Sequence, residues 1–184
     1  MKEERRFAIK ECITGKEIQK VRKRCGLSRK ELADLFKISV RTVEYWENGK
    51  TPVSGPVVFG IRVLSEYPET VQMLEIPSPE TPLRLIYKKA GEVCTVIDVD
   101  ERHQKVFIRN YTNDVDSRAF GVNGEPDYAQ YEEFLKSRCF PDTVDKRKVL
   151  LEHLGLPFYD PLMIIEKTEG RLHDDDFHIE VIRK

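Results

Sequence analysis

The residues best suited to recognising another molecule lie between positions 39 and 51, where polar and aromatic side chains recur with helical spacing. Arg41 has the planar guanidinium that can bind guanine O6 and N7 together, a contact that discriminates between bases by about 1–3 kcal/mol. The same arginine can instead contact phosphate alone, which fixes position without reading sequence. This stretch therefore predicts a surface that binds double-stranded DNA.

Three neighbours of Arg41 have related chemistry, each with a structural alternative. Tyr45 can stack on a base edge or donate to it or to a phosphate, or it can pack beside Trp46. Glu44 can accept a hydrogen bond from cytosine N4, although a carboxylate near DNA more often steers than anchors. Val40 can touch a thymine methyl group or cover the turn before it.

These side chains need a helix to present them, and the sequence supplies two helices joined by a tight turn. Ser28, with Glu31 three residues later, forms a capping-box pattern that starts the first helix. Ser39 is a favourable N-cap residue for the second helix. Val43 and Trp46 fall on the inward face of the second helix. The residues left facing outward are Arg41, Thr42, Glu44 and Tyr45.

Further helices are predicted on both sides of this pair. Thr14 and Glu17 repeat the capping-box pattern for a preceding helix. Gly49 is expected to end the second helix of the pair as a C-cap glycine. A following helix is expected from Ser54 to about Glu66, and it is apolar on more faces than one core contact needs. This surplus indicates either a homodimer surface or full burial within one subunit.

The charge of the chain is unevenly distributed. Residues 1–74 carry 15 Lys and Arg against 10 Asp and Glu, which gives a net charge of +5. Residues 75–184 carry 16 Lys and Arg against 22 Asp and Glu, which gives −6 and a total of −1 for the chain. A basic region is typical of a DNA-binding domain. The acidic remainder is then a sensor, a dimerising element, a protein-binding module or a merely solvated domain.

Two features of the sequence bear on its cellular location. No apolar run reaches the roughly 18 residues that a membrane span needs. Residues 1–7 lack the apolar core of a signal peptide. We therefore expect a cytoplasmic protein.

A proline-rich segment separates two predicted domains. Residues 76–82 contain three prolines, which favours a stiff, extended linker. Beyond it, alternating apolar residues predict a three-stranded antiparallel meander to residue 108 and a last strand from Phe177. Helices are expected over residues 127–138, 144–154 and 160–168. The predicted class is α+β, with an all-α helix-turn-helix domain over residues 1–75 and a small antiparallel-sheet domain over residues 83–184.

A set of residues between positions 14 and 68 also matches a known pattern. It consists of Arg22, Leu27, Ser28, Glu31, Leu32, Ala33, Ser39, Thr42, Val43, Trp46, Glu47, Asn48, Gly49, Lys50 and Pro52. With these residues the segment resembles the XRE, or Cro-type, helix-turn-helix family. Residues 62–69 are similar to the matching region of MqsA-type and HigA-type antitoxin repressors.

The resemblance implies a role for each matched position. Arg22 is expected to pair with Glu47 and tie the first helix of the domain to the recognition helix. The base-reading positions fall on Val40, Arg41, Glu44 and Tyr45. The phosphate-contacting positions fall on Ser28, Arg29, Asn48, Lys50 and Thr51. Ser39 and Thr42, which lie on the same helix, complete the expected DNA-binding set.

A second, looser pattern lies near the carboxyl terminus. Residues 137–141, 148–155 and 165–179 are similar to a segment near the amino terminus of some HipA-like kinase proteins. This similarity implies a module associated with toxin–antitoxin systems. No Gly-rich phosphate loop, catalytic-loop aspartate or magnesium-binding motif accompanies it, so we expect no kinase activity.

No residue pattern predicts catalysis, a cofactor or a metal. The segment from His173 to His178 contains metal-ligand types, but a solvated loop leading into a strand is the alternative that we favour. The cysteines are too widely spaced for a zinc site and are predicted to be free, buried thiols. They are Cys12, Cys25, Cys94 and Cys139. We therefore expect a protein that is not an enzyme.

These patterns together favour a sequence-specific DNA-binding repressor that acts as a homodimer on a palindromic operator. In the antitoxin-like version, it regulates its own gene and holds a toxin or another protein target through residues 83–184. The alternative is a phage or mobile-element inhibitor, whose carboxy-terminal domain binds a protein target while the helix-turn-helix autoregulates its gene. An enzyme with a DNA-targeting domain fits least well.

Overall fold

The computed structural model describes residues 6–143 and 145–184. Their contacts divide the chain into two compact units, one ending at Glu75 and the other running from Ile76 to Lys184. Each unit has its own apolar core. Helices in the first unit, and an antiparallel sheet with helices in the second, confirm the predicted α+β class.

The described residues of the first unit form five helices and a two-stranded ribbon. The helices are α1 (Gly15–Arg24), α2 (Arg29–Phe36), α3 (Val40–Asn48), α4 (Pro56–Glu66) and α5 (Thr70–Leu74). The strands β1 (Cys12–Ile13) and β2 (Val53–Ser54) pair antiparallel. The core takes Ile18 from α1, Leu32 from α2, Val43 from α3 and Ile61 from α4. Burying one face of each helix in a common core sets the position of α3.

The start of α1 lies against the end of α3 with no room for a side chain. A Cβ atom added to Gly15 would lie 2.1 Å from the backbone oxygen of Trp46. The helix begins there because Thr14 caps it, accepting a hydrogen bond from the backbone nitrogen of Glu17 at 3.3 Å. The cap and the glycine together bring α1 into contact with α3.

The start predicted for α4 was wrong by two residues. Ser54 lies in β2, Gly55 has a positive φ of 91°, and Pro56 opens the helix. Most of the apolar surplus on this helix faces the core of its own unit, although Phe59 remains 59% exposed. The buried residues of α4 are Val57, Val58, Ile61 and Leu64.

In the second unit, the described residues form a four-stranded antiparallel sheet, three α-helices packed with it and one 3-10 turn at Val115–Ser117. The strands are β3 (Leu83–Lys89), β4 (Glu92–Asp100), β5 (Lys105–Asn110) and β6 (Phe177–Arg183), in the order β5-β4-β3-β6. The helices are α6 (Tyr128–Ser137), α7 (Arg147–Leu154) and α8 (Pro161–Thr168). The core joins alternate strand residues, such as Leu85 and Ile97, to Tyr131 and Ile165 of the helices. The predicted meander and last strand are confirmed.

Two local predictions for helices need correction. The helix expected over residues 144–154 begins at Arg147, and residue 144 lies outside the described residues. Its buried residue is Leu151, whereas Val149 is 49% exposed. The short helix α5 was not predicted, because the five residues from Thr70 to Leu74 are too few to show a helical period.

The proline-rich segment is hydrogen-bonded to the second unit. The backbone nitrogen of Lys184 donates to the carbonyl of Pro82 at 2.9 Å, and its side-chain ammonium donates to the carbonyl of Pro79 at 2.5 Å. The guanidinium of Arg84 donates to the carbonyl of Pro77. Because three carbonyls of the segment are held in this way, residues 77–82 are part of the packed structure of this unit.

Candidate nucleic-acid interface

The turn between α2 and α3 is built from two capped helix ends. Ser28 accepts a hydrogen bond from the nitrogen of Glu31 at 3.2 Å, and the Glu31 carboxylate accepts one from the nitrogen of Ser28 at 2.6 Å. Lys37 takes a left-handed conformation with φ 54°, and the nitrogen of Ile38 donates to the Ala33 carbonyl at 2.9 Å. These bonds close α2 and set the direction in which α3 starts.

Ser39 and Thr42 are occupied in starting α3. The Ser39 hydroxyl accepts a hydrogen bond from the backbone nitrogen of Thr42 at 3.1 Å, and the two hydroxyl oxygens lie 2.8 Å apart. Ser39 is exposed and Thr42 is half-buried. Ser39 and Thr42 both belong to the expected DNA-binding set, and in the structure they cap the amino-terminal end of α3.

The inner face of α3 is fixed by a buried carboxylate. Arg22 Nε donates to Glu47 Oε1 at 2.6 Å and Arg22 Nη2 donates to Glu47 Oε2 at 3.2 Å, which confirms the predicted pair. Arg29 Nε donates to Glu47 Oε2 at 2.8 Å. Burial raises the pKa of Glu47, but the hydrogen bonds from the two arginines outweigh it and hold the pKa below its ordinary value. α1, α2 and α3 are thus joined at one ionised group.

The outer face of α3 is open. Tyr45 is 72% exposed and Val40 is 39% exposed. Arg41 and Glu44 are exposed as well, and neither makes an ion pair within the described residues. The residues that line one shallow depression on this face are Arg41, Glu44, Tyr45, Asn48 and Gly49. This arrangement leaves a guanidinium, a phenol, an amide and a carboxylate available to a partner.

The residues expected to contact phosphate come from two places in the chain. Ser28 and Arg29 are at the start of α2, and Asn48 is the last residue of α3. Lys50 and Thr51 follow, and both are exposed. Gly49 ends α3 with φ −69°, so it does not use the left-handed conformation expected of a C-cap glycine. Its lack of a side chain has another reason, because a Cβ there would lie 2.7 Å from the Tyr45 carbonyl oxygen.

Arg29 has a role that sequence reasoning missed. It was expected to contact phosphate, but its Nε atom is bonded to Glu47, and its side chain remains 38% exposed. The contact is possible because an ionised carboxylate can accept hydrogen bonds from more than one guanidinium. The contact could not be foreseen without the crossing of α2 and α3.

The segment from His173 to His178 is organised by an arginine. Asp175 accepts hydrogen bonds from Arg138 Nη1 at 2.6 Å and Arg138 Nη2 at 3.0 Å. The guanidinium also donates to the Gly170 carbonyl, at 2.8 Å from Nη2 and 3.1 Å from Nε. No group of three or more ligand-type side chains with metal-binding geometry occurs in the described ranges 6–143 and 145–184. The partner of Asp175 in this segment is the guanidinium of Arg138.

The cysteines are free, but they are not all buried. Cys94 and Cys139 are buried, Cys25 is half-buried and Cys12 is exposed, which corrects the prediction for Cys12. The reason is that Cys12 lies in a two-residue strand at the surface, where only Ile13 turns inward. Burial raises the pKa of Cys139 to about 12.

The comparison with known families agrees with this geometry. Residues 18–61 match the family model described as Helix-turn-helix. The matched range starts in α1, contains α2 and α3, and ends in α4, so it includes the buried Glu47 and the open face of α3. Residues 18–61 therefore belong to a helix-turn-helix domain of the XRE type. The presence of this domain supports a role in DNA-binding transcription regulation.

No curated protein and no solved structure matches the chain. Within residues 6–143 and 145–184, we find no helix with the length and apolar character required to traverse a bilayer.

Proposed function

We propose that this protein is a sequence-specific transcriptional repressor that inserts α3 into the major groove of its operator. The observation that carries the proposal is the contrast between the two faces of α3. The side chain of Glu47 is fully buried, while Tyr45 is 72% exposed. A helix whose inner face is locked and whose outer face is polar and open has the form of a recognition helix.

The charge and residue types of this face support direct reading of bases. Arg41 can make the two-bond contact to guanine, and Tyr45 and Glu44 offer a ring and an acceptor nearby. Lys50 and Thr51 follow α3 and are exposed, which supports their assignment to phosphate contacts. The net charge of +5 on residues 1–74 favours association with a polyanion.

We further propose that the repressor acts as a homodimer on a palindromic site. Helix-turn-helix dimers bind half-sites about 34 Å apart, one turn of DNA. Phe59 in α4 and Tyr67 directly after it are each 59% exposed, and we assign these two residues to the dimer contact. Sedimentation of the natural chain and of F59D tests this, because the variant should shift toward monomer. An identical sedimentation profile for both would contradict it.

The central experiment is selection of bound DNA from a random pool with the full-length protein. We expect enrichment of a two-fold symmetric motif with half-sites one helical turn apart. Enrichment of a single half-site would support sequence-specific binding and contradict binding as a dimer. A pool that remains random after repeated rounds would reject sequence-specific binding.

The selected site then allows the roles of single residues to be measured. R41A should relax specificity at one base pair, at a cost of about 1–3 kcal/mol. K50A should weaken all sequences similarly and reduce the slope of log K against log salt by about one. R171A, which removes an exposed arginine of the second unit, is the control of equal charge. If neither R41A nor K50A differs from R171A, the outer face of α3 is not the DNA surface.

For the second unit we propose binding of a protein target, in the manner of an antitoxin that holds its toxin. Support comes from its acidity, because residues 76–184 carry 16 Lys and Arg against 21 Asp and Glu, a net charge of −5 that disfavours contact with DNA and suits a basic partner. The test is co-expression of the full chain with the product of the neighbouring reading frame. Co-purification that is lost when residues 83–184 are removed supports the proposal, and co-purification that survives this removal assigns the partner to the first unit.

A further inference from the structure

The first unit contains a cavity that the DNA-binding proposal does not use. It has a volume of about 280 Å³ and lies between the segment before β1, α1 and α4. Its floor is formed by the buried side chains of Ile13, Val21, Val58 and Ile61. Above this floor the lining includes Ile9, which is 40% exposed. An apolar group that entered the cavity would remove the remaining exposed apolar area from water, which is the main driving force for binding in such sites.

The rim of the cavity is cationic. Four cations, Lys10, Lys20, Arg24 and Arg62, surround it against the single carboxylate of Glu17. A concave site with one sign of charge at its mouth raises the local concentration of ligands of the opposite sign. The cavity therefore combines an apolar interior with a positive entrance.

The rim cations differ in how far they are already engaged. Lys10 pairs with Glu17 at 2.6 Å, and Arg62 pairs with Glu66 at 3.1 Å. Hydrogen bonds, of which the one from Lys10 has the largest effect, lower the pKa of Glu17 to about 2. At neutral pH Glu17 is therefore ionised and remains paired with Lys10. Arg24 bonds the Ser65 carbonyl through one nitrogen, and Lys20 has no ion pair within the described residues. Lys20 is the cation most available to an incoming anion.

We infer that this cavity binds a small amphipathic organic anion, with its apolar part on the floor and its carboxylate at Lys20. A neutral apolar ligand would leave the positive rim uncompensated, and inorganic phosphate would leave the apolar floor open to water. A volume near the lower end of the range for ligand sites suits a molecule of about ten heavy atoms rather than a folded domain.

The site is separate from the DNA face. None of its lining residues belongs to the set expected to contact DNA on α2, α3 or the following bend. Its α1 wall includes Val21, which is adjacent in sequence to Arg22, the buried partner of Glu47. A ligand that displaced α1 would therefore act on the helix that holds the inner face of α3.

The probe for this site is decanoate, titrated calorimetrically into the full-length protein below the concentration at which decanoate forms micelles. Decylammonium, with a tail of the same length and the opposite charge, is the matched ligand. We expect saturable binding of decanoate with one site per chain and much weaker binding of decylammonium. Equal binding of the two ligands, or no saturable binding of decanoate, would overturn the inference.

Two charge reversals on the same helix locate the site. Lys20→Glu should weaken decanoate binding about tenfold, because it replaces an attraction at the rim with a repulsion. Lys23→Glu makes the same change in net charge at an exposed position of α1 that does not line the cavity, and should change binding less than twofold. Equal losses in the two variants would show that decanoate responds only to net charge and would refute the assigned site. Far-UV circular dichroism of both variants establishes that they remain folded.

Discussion

Both units of the molecule contain buried arginines paired with carboxylates, and two of these pairs, Arg22 with Glu47 and Arg138 with Asp175, are built in opposite ways. In the first unit the carboxylate is the deeper partner, since Glu47 has a fully buried side chain while those of Arg22 and Arg29 are 10% and 38% exposed. In the second unit the arginine is deeper, with the Arg138 side chain 7% exposed and that of Asp175 25% exposed. The first pair joins three helices, whereas the second joins the end of α6 to the loop before β6.

The difference concerns which partner can be hydrated when the other is lost. Asp175 is near enough to solvent to recover water if Arg138 is removed. Arg22 is much less accessible if Glu47 is removed, and an unpaired buried charge is costly. We therefore expect the first unit to be the more sensitive of the two to loss of the deeper partner, and its ionic centre lies directly behind the proposed DNA face.

Removing the carboxylate of Glu47 should have the largest effect. Glu47→Ala leaves the buried guanidinium of Arg22 without its counterion, and we expect a loss of about 3–5 kcal/mol in the free energy of unfolding. Urea unfolding followed by the fluorescence of Trp46, the single tryptophan of the chain, measures this in the first unit. Glu44→Ala removes an exposed carboxylate from the same helix and should change stability by no more than about 0.5 kcal/mol. Similar unfolding midpoints for these two variants would contradict the assigned role of Glu47.

The same junction can be tested without changing any charge. In Gly15→Ala the new methyl group would overlap the backbone oxygen of Trp46, which no side-chain rotation can relieve. We expect α1 to be forced away from α3, at a cost of about 2–3 kcal/mol. Gly124→Ala in the second unit is the control, because no described atom lies within 4 Å of the added Cβ. If both alanine variants unfold like the natural chain, α1 and α3 are not in close contact.

Removing Arg138 should cost less, although it breaks several hydrogen bonds. Arg138→Met keeps an apolar stem beside Tyr87 and Phe177 but removes the donors to Asp175 and to the Gly170 carbonyl. We expect a loss of about 2 kcal/mol, measured by far-UV circular dichroism during urea unfolding. Arg171→Met breaks an exposed pair with Glu169 and should be nearly neutral. If Arg138→Met lowers the free energy of unfolding by more than Glu47→Ala does, the second unit is the more sensitive to loss of its deeper partner, contrary to our expectation.

Whether the sequence predicts a pair depends on how many residues separate its two members. Capping boxes are local, so Ser28 with Glu31 and Thr14 with Glu17 are visible three residues apart. The pair of Arg22 and Glu47 spans 25 residues and was reached through the family resemblance. The pair of Arg138 and Asp175 spans 37 residues and has no such guide, so Asp175 was considered only as part of an acidic cluster.

The candidate site was predicted to a similar limit. The helical period of α3 assigns Val43 to the core and Tyr45 to the outside, because both positions follow from one helix alone. The bond between Arg29 and Glu47 and the cavity behind α1 depend on how helices cross, and no local pattern encodes that. The strands of the second unit were predictable from their alternation. The hydrogen bonds to the proline-rich segment come from Arg84 and Lys184, and those of Lys184 span about a hundred residues of sequence.

The smallest expected effect is a difference in how the two pairs respond to acid. Arginine hydrogen bonds lower the pKa of Glu47 against the opposing effect of burial, and the hydrogen bond from Arg138 lowers that of Asp175. A carboxyl whose pKa is lower in the folded state stabilises the protein above its unfolded pKa and loses that contribution as pH falls through its folded pKa. The loss should begin near pH 4.5 for Glu47 and near pH 3.8 for Asp175, their ordinary values.

Measuring E47Q and D175N against the natural chain between pH 7 and pH 3 separates these contributions. Each variant should be most destabilised at pH 7, and its difference from the natural chain should narrow as the pH falls, earlier for E47Q than for D175N. Differences that stay constant with pH would mean that the ionised form of the carboxylate is not what stabilises the fold. A difference that narrows for only one variant would show that the charge of the carboxylate stabilises only one of these two pairs.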